Sequence, residues 1–301
     1  MILLKKIYFY LLRYLKVSNK KCSTEYGDIY LDFQNDGISQ QLFYHGTRES
    51  DKVDLIKHLL QPGDGVIDCG SNIGAYPVLE SSLVKKDGYV VCIEPDPRNV
   101  KLLKKNYTLI DSKKDLIEKG IGNANYIAQI NLNKKTNISR LFSIKNPYKE
   151  SGGFVKKNII DVEIISFEDL AKSIKFDLKK LKLLRMDIEG GEIDVLESLS
   201  KCLEQVPNIQ ILFETHPDFY TIEKLEKIFH NFFEKGYKFK KIISSGSFDL
   251  EYLTKFNLKV SKKYFSDGFH RYLFENVSND IGIQLMNNKK PKLARYVLLS
   301  K

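Results

Sequence analysis

The chain has 301 residues, of which 43% are apolar and 29% charged, a composition typical of folded globular proteins that excludes a disordered chain. No apolar run reaches the ~18 residues of a membrane-spanning helix. Lysine and arginine exceed aspartate and glutamate by 48 to 38, and this net charge of +10 favours encounter with an anionic molecule or surface. Four cysteines without a CxxC pair argue against a zinc site or disulfide framework and predict a reducing, cytoplasmic location.

The N-terminal part, residues 1–45, is predicted to form a helix and a lead-in segment. Within residues 1–17, apolar side chains recur at helical spacing while the basic residues lie elsewhere, which predicts an amphipathic helix. Its apolar face is predicted to contain Leu4, Ile7, Tyr8, Leu11, Leu12 and Leu15. Two hypotheses follow: the helix packs this face on the domain, or it makes peripheral contact with an anionic membrane surface.

Residues 46–277 are predicted to form one domain in which strands alternate with helices. The predicted sheet strands are 65–70, 89–94, 115–121, 181–187, 209–214, 237–243 and 271–275. This alternation predicts a doubly wound, mostly parallel α/β sheet of seven strands. Polar residues 126–165 predict a hairpin insertion, and residues 278–301 a basic C-terminal tail.

Acidic residues fall at the ends of four predicted strands. They are Asp68, Glu94, Asp187 and Glu214. Ligands of doubly wound sheets bind beyond the carboxyl ends of the strands, so these side chains mark the expected site.

The loop after the first of these strands reads Asp68-Cys-Gly70-Ser-Asn72-Ile-Gly74. A dinucleotide fingerprint would place glycine where Asn72 stands, because backbone must approach a pyrophosphate there. A cofactor without phosphates fits better, and S-adenosylmethionine is such a cofactor. Asp68 is expected to face its ammonium end, and Glu94 its ribose hydroxyls.

Six blocks of residues 60–275 resemble the FkbM family of S-adenosylmethionine-dependent methyltransferases. The blocks are Val66–Gly74, Glu94–Asn99, Gly120–Gly122, Val162–Leu170, Leu184–Glu192 and Phe213–His216. The resemblance implies the Rossmann-like class I methyltransferase fold and O-methylation of a hydroxyl on a sugar, glycan or natural-product-like acceptor. Arg185 and Gly191 depart from the lysine and alanine usual in the family.

With the resemblance, the predicted cofactor-binding residues are Asp68, Gly70, Ser71, Asn72, Gly74, Glu94, Pro95 and Gly122. The predicted catalytic residues are Asp187, Glu189 and His216, because methyl transfer to a hydroxyl needs a positioned base and Asp187 ends the fourth strand. These side chains and Glu214 could also hold a divalent cation, but no metal site is predicted.

Two alternatives stay open. A nucleic-acid methyltransferase would use the basic surface, although the Asp187–Glu192 segment is acidic and would repel phosphate. A non-catalytic scaffold of the same fold would bind partners instead, but it would have no use for carboxylates in a cleft.

Overall fold

The computed structural model describes residues 2–34, 37–132, 140–142, 159–246, 253, 255–289 and 292–301. The helices are α1 (Ile2–Tyr14), α2 (Ile38–His45), α3 (Ser50–Leu59), α4 (Ala75–Val84), α5 (Pro97–Tyr107), α6 (Phe167–Ser173), α7 (Glu192–Ser200), α8 (Ile222–Glu234) and α9 (Asn279–Asn287). The strands are β1 (Asn19–Thr24), β2 (Gly27–Asp32), β3 (Gly65–Cys69), β4 (Tyr89–Ile93), β5 (Lys113–Ile117), β6 (Gly120–Gly122), β7 (Tyr126–Asn131), β8 (Arg140–Phe142), β9 (Ile159–Ser166), β10 (Leu181–Met186), β11 (Gln210–Glu214), β12 (Lys238–Ser244), β13 (Val260–Ser266), β14 (Phe269–Val277) and β15 (Ala294–Ser300).

The main sheet has the order β13-β14-β12-β15-β11-β10-β3-β4-β5. The five strands from β11 to β5 are parallel, while β15 runs antiparallel between β11 and β12. The chain runs from β3 to β4 and β5 on one side and later returns to β10 on the other side of β3, so the topological switch point lies between β3 and β10. The predicted doubly wound, mostly parallel fold is confirmed.

The prediction of seven strands is wrong, because the main sheet has nine. The two unpredicted strands are β13, whose lysines lie at the exposed edge of the sheet, and β15. Lysines and Arg295 gave the β15 segment the composition of a basic tail, yet its apolar side chains are buried in the middle of the sheet. The segment predicted as one strand at 115–121 is divided between β5 and β6, which belong to different sheets.

The predicted insertion forms a second sheet with the order β6-β9-β7-β8. Strand β7 pairs antiparallel with both β8 and β9, as a hairpin insertion requires. Residues 133–139 and 143–158 of the insertion lie outside the described residues.

Two apolar cores cover the two faces of the main sheet. Helices α6, α7, α8 and α9 contribute to one core, and α1 to α5 with β2 contribute to the other. Strands β3 and β4 are buried on both faces, as their continuous apolar sequences require. This sandwich fixes the carboxyl ends of the strands as a rigid edge.

Helix α1 packs on the domain through a different face from the predicted one. Its buried side chains are Phe9 and Leu12, and only Leu12 belongs to the predicted apolar set. Two basic side chains anchor the helix: Arg13 Nε donates to the Phe33 carbonyl oxygen at 3.0 Å, and Lys5 Nζ donates to the Tyr44 carbonyl oxygen at 3.2 Å.

The position of β15 generates a prediction about stability. Leu298 is buried at the centre of β15, so Leu298→Ala should lower the free energy of unfolding by about 2–5 kcal/mol through the cavity it leaves. Leu15→Ala is the matched control at an exposed leucine, and it should change this energy by less than about 0.5 kcal/mol. Urea denaturation measures both. Equal, small effects would show that β15 is dispensable for the sheet.

Candidate active site

A cleft lies at the carboxyl ends of the parallel strands. Its walls come from the segments that follow β3, β4 and β10 and from the residues before α3. The lining combines apolar side chains with carboxylates and arginines. Named by segment, it includes Tyr26, Ile38, Leu42, Arg48, Gly70–Ile73, Tyr76, Glu94–Asp96, Asn99, Gly120, Ile121, Arg185, Asp187–Glu189, Glu214 and Arg295.

The glycine loop after β3 forms the floor of the cleft. Gly70 has φ +80°, and a Cβ atom there would lie 2.2 Å from the carbonyl oxygen of Asp187. Gly74 has φ +87°, and its Cβ would lie 2.8 Å from Leu103 Cδ1. Both positions therefore need glycine for conformation and for space. The two neighbouring strand ends come into backbone contact only because Gly70 lacks a side chain.

Glu94 directly follows β4 and lies buried in the cleft wall. Its Oε1 accepts hydrogen bonds from the Asp96 amide at 3.0 Å and from Asn99 Nδ2 at 3.2 Å, and its Oε2 accepts from the Asn72 amide at 2.9 Å. Burial raises the pKa of Glu94 to about 7, although these hydrogen bonds act in the opposite direction. A carboxylate has about four acceptor positions, so Oε2 can take one more donor from the cleft.

The other predicted cofactor residues divide into two groups. Ser71, Asn72 and Pro95 line the cleft together with Gly70. Gly74 and Gly122 are not among the lining residues, and Gly120 and Ile121 are the residues of β6 that line the cleft.

Asp68 has a different partner from the predicted ammonium group. Its carboxylate is fully buried and forms an ion pair with Arg185, through Oδ1 and the guanidinium Nη1. Within the described residues, Asp68 Oδ2 has no hydrogen-bond partner. Asp68 is absent from the residues that line the cleft, so its direct contribution to ligand binding stays a prediction.

Asp187 follows β10 and is held by two cations. Its Oδ2 lies 2.9 Å from Lys52 Nζ and 3.4 Å from Arg185 Nη2. Burial acts to raise the pKa of Asp187, but Lys52 and Arg185 outweigh that effect and lower it to about 2. Asp187 is therefore a permanent anion at neutral pH and a weak proton acceptor.

Glu189 reaches the same cleft two residues later, in a left-handed conformation with φ +56°. Burial raises the pKa of Glu189 to about 7, against the lowering effect of His216. His216 Nε2 lies 3.8 Å from Glu189 Oε2, and His216 Nδ1 lies 3.1 Å from Glu192 Oε1. Burial acts to lower the pKa of His216, but Glu192 and Glu214 raise it to about 9. The histidine is thus a cation at neutral pH.

Glu192 fixes the loop that carries these groups. Its Oε1 accepts from the Ile188 amide, and its Oε2 accepts from the Gly190 amide, both at 3.0 Å. It also stands in the first turn of α7, where a carboxylate is favoured by the helix dipole. Glu192 is therefore a structural residue of the site.

A buried ion network behind the cleft was not predicted from the sequence. Glu49, which is fully buried, lies 2.8 Å from Lys52 Nζ, 3.0 Å from Arg48 Nη2 and 3.4 Å from Arg295 Nη2, and it accepts a hydrogen bond from Tyr76 Oη at 2.8 Å. Burial alone would raise the pKa of Glu49, but the three cations lower it well below its ordinary value. The only signal in the sequence was the Glu49–Lys52 spacing, which is also typical of exposed helix pairs.

Three carboxylates of this region lie close enough to hold a cation. Oxygen atoms of Glu49, Asp187 and Glu214 lie within 4.8 Å of one another. Lys52 bridges the first two, and Arg295 Nη2 lies 3.4 Å from Glu49 and 3.7 Å from Glu214. The charge of the cluster is therefore already compensated by protein cations.

Comparison with known proteins identifies the family. The sequence model of the FkbM methyltransferase domain matches residues 68–239, more than half of the chain. The chain belongs to the FkbM methyltransferase family. It is a methyltransferase, and its methyl donor is S-adenosylmethionine. No curated protein sequence matches the chain at a significant level.

Solved structures resemble the chain only distantly. An S-adenosylmethionine-dependent O-methyltransferase of Thermotoga maritima is 12% identical, with a TM-score of 0.40 and coverage of 94% of this chain and 86% of that one. TYW2 of M. jannaschii, in complex with AdoMet, is 12% identical, with a TM-score of 0.39 and coverage of 93% and 86%. Fibrillarin of Aeropyrum pernix, with natively bound S-adenosylmethionine, is 10% identical, with a TM-score of 0.34 and coverage of 75% and 74%. The family assignment rests on the family model and not on these similarities.

The residues present fit S-adenosylmethionine. The backbone of Gly70–Ile73 lines the cleft, and Glu94 Oε2 retains an acceptor position towards the same cleft for a ribose hydroxyl. The methyltransferase would hold the ribose with Glu94 and the nucleoside against Ile73, Ile93 and Ile121.

The pKa of Glu94 generates a prediction for binding. A ribose hydroxyl donates to the ionised carboxylate, so affinity should fall about tenfold per pH unit below pH 7, as Glu94 takes up a proton. Calorimetry with S-adenosylhomocysteine, which lacks the sulfonium charge, measures this slope and the proton released on binding.

Two variants isolate Glu94 in this experiment. Glu94→Gln should weaken binding and abolish both the slope and the proton release. Glu189→Gln is the matched control, because Glu189 also has a pKa of about 7, and it should leave the slope unchanged. A slope that survives in Glu94→Gln would remove Glu94 from the ribose site.

Proposed function

We propose that the protein transfers the methyl group of S-adenosylmethionine to a hydroxyl of a sugar, glycan or natural-product-like acceptor, with Glu189 as the general base. The observation that carries the proposal is a cleft carboxylate whose pKa of about 7 matches neutral pH. A base is most effective when its pKa lies near the working pH. A hydroxyl acceptor needs such a base because it must lose its proton during transfer.

The three predicted catalytic residues differ in their ability to accept a proton. Asp187 has a pKa of about 2, so it would hold a proton only weakly. His216 has a pKa of about 9 and is already protonated at neutral pH. Glu189 alone among the three is both near neutrality and part of the cleft lining.

The remaining two residues support Glu189 in this proposal. Protonated His216 lies 3.8 Å from Glu189 Oε2 and stabilises the carboxylate form that accepts the proton. Asp187 keeps Lys52 and Arg185 in place beneath the loop. Gly190, whose Cβ would lie 2.6 Å from the Phe219 ring, lets the loop turn directly after Glu189.

The cofactor supplies the electrophilic methyl group when it is bound. The protein supplies alignment: Glu94 and the loop Gly70–Gly74 fix the nucleoside, and the carboxyl end of β10 brings Glu189 to the reacting edge. Alignment of the two reactants accounts for a large part of such rate enhancements.

A nucleic-acid acceptor is less compatible with the charges of the cleft. The lining contains four carboxylates besides Asp187, at Glu94, Asp96, Glu189 and Glu214. The three lining arginines are paired with acids: Arg48 with Glu49, Arg185 with Asp68, and Arg295 with Glu49 and Glu214. A phosphate backbone would therefore meet arginines that are already paired with carboxylates.

The proposal is tested by labelling and by the pH profile. Polysaccharide and lipid extracts incubated with methyl-labelled S-adenosylmethionine should yield a methyl ether on a hydroxyl oxygen. With the acceptor so found, kcat should rise with pH up to about 7 and then level off, because Glu189 must be ionised to accept the proton.

Variants assign the base in the same assay. Glu189→Gln should lower kcat by about 10²- to 10⁴-fold and leave the affinity for S-adenosylhomocysteine nearly unchanged. Asp218→Asn, an exposed acid on the loop after β11, is the matched control and should retain full activity. Label found in RNA or DNA instead, or a Glu189→Gln enzyme with normal kcat, would overturn the proposal.

A further inference from the structure

Exposed apolar side chains are concentrated in one segment of the chain. Among the described residues, nine of the fourteen exposed large apolar side chains lie in residues 2–15. They are Ile2, Leu3, Leu4, Ile7, Tyr8, Tyr10, Leu11, Tyr14 and Leu15. A contiguous patch of exposed apolar side chains on a protein surface indicates an interaction site.

Eight of these nine side chains form one continuous face, which consists of residues of α1 and of Leu15, directly after the helix. With 100° per residue, they occupy an arc of about 160° that runs from Tyr10 to Tyr8 without a charged residue. The opposite arc holds Phe9 and Leu12, which pack on the domain, and the anchoring side chains Lys5 and Arg13. The helix is thus fixed to the protein by one face and presents the other outward.

The segment is also strongly basic. Residues 1–24 contain six lysines and arginines and no acidic residue. Lys6, Lys16 and Lys20 are exposed, and Lys20 Nζ donates to the Tyr8 hydroxyl at 2.8 Å, at the edge of the apolar arc. An apolar face bordered by tyrosines and lysines is complementary to an anionic bilayer, whose headgroups attract the lysines while its acyl chains take up the leucines.

We propose that the exposed face of α1 docks the protein on an anionic lipid surface. The helix lies in the plane of the interface, since no helix of the described residues is long and apolar enough to cross a membrane. Helix α1 packs on α2, whose Ile38 and Leu42 line the cleft, so docking holds the mouth of the cleft near the lipid surface. The inference goes beyond the proposed function and does not depend on the identity of the acceptor.

A second copy of the chain is a less suitable occupant. Paired helices of a coiled coil bury a narrow apolar stripe, formed by the a and d positions of the heptad, with charged residues on both sides. The exposed arc of α1 is more than twice as wide as such a stripe. Two copies of the basic segment would also be brought together by such an interface, and their like charges would repel.

The experiment uses the full chain and sucrose-loaded vesicles. The protein should sediment with vesicles that contain about one third phosphatidylglycerol, bind those of pure phosphatidylcholine more weakly, and dissociate partly at high salt. The triple variant Leu4→Ser, Ile7→Ser, Leu11→Ser should lower the partition coefficient about a hundredfold, because three side chains lose their burial in lipid. Lys6→Gln with Lys16→Gln should reduce only the preference for anionic lipid.

The control replaces two exposed phenylalanines elsewhere, by Phe265→Ser and Phe269→Ser. Phe265 is 68% exposed and Leu4 is 70% exposed, so the two sets of changes remove comparable exposed surface. The control should bind vesicles as the unchanged protein does, and the Tm of the triple variant should change little because its three residues do not belong to the buried core. Absence of vesicle binding, or equal binding by the triple variant, would overturn the proposal. A dimer in sedimentation equilibrium that the triple variant abolishes would assign the face to a second copy instead.

Discussion

The site depends on the pairing of buried charges at the carboxyl ends of β3 and β10. Arg185 lies between Asp68 and Asp187 and stacks on the Tyr76 ring with its guanidinium carbon 3.8 Å from the ring centroid. Lys52 from α3 completes the neutralisation of Asp187. Removal of one member of such a buried network leaves an uncompensated charge and costs about 3–5 kcal/mol. These ion pairs connect the ends of β3 and β10, and they therefore fix the position of Asp187 and of the loop that carries Glu189.

This arrangement gives two acids of one loop different protonation behaviour. Asp187 faces two cations, which keep it ionised, whereas Glu189 is two residues further and has burial as its main influence. The pKa values of about 2 for Asp187 and about 7 for Glu189 differ mainly because of position, since the intrinsic pKa values of aspartate and glutamate are similar. In the proposed mechanism, this protein keeps Asp187 as a fixed anion and uses Glu189 to accept the proton.

Local sequence patterns predicted the parallel core and the acids at the strand ends, because glycine spacing and apolar runs depend on nearby residues. They could not predict Glu49 and Lys52 as buried groups, since a pair at that spacing is equally typical of an exposed helix surface. Strand β15 was not predicted as part of the sheet, because the lysines that precede it gave the segment a basic composition. Its apolar residues are buried only by strands that are distant in the sequence. For α1, periodicity predicted a helix but not the face that packs on the domain. Phe9 and Leu12 are buried there because they share a core with Phe33 and with side chains of α2, which are distant in the sequence. Long-range burial is the information that the sequence pattern lacks.

A crystal structure with bound S-adenosylhomocysteine would locate the cofactor relative to Glu94 and Glu189 in one measurement. We expect a ribose hydroxyl within about 3 Å of Glu94 Oε2, the nucleoside above the Gly70–Gly74 loop, and the thioether sulfur on the side of the cleft that Glu189 faces. A nucleoside bound elsewhere, or a ribose that avoids Glu94 while the sulfur points away from Glu189, would show that these two carboxylates do not form the methyl-transfer site.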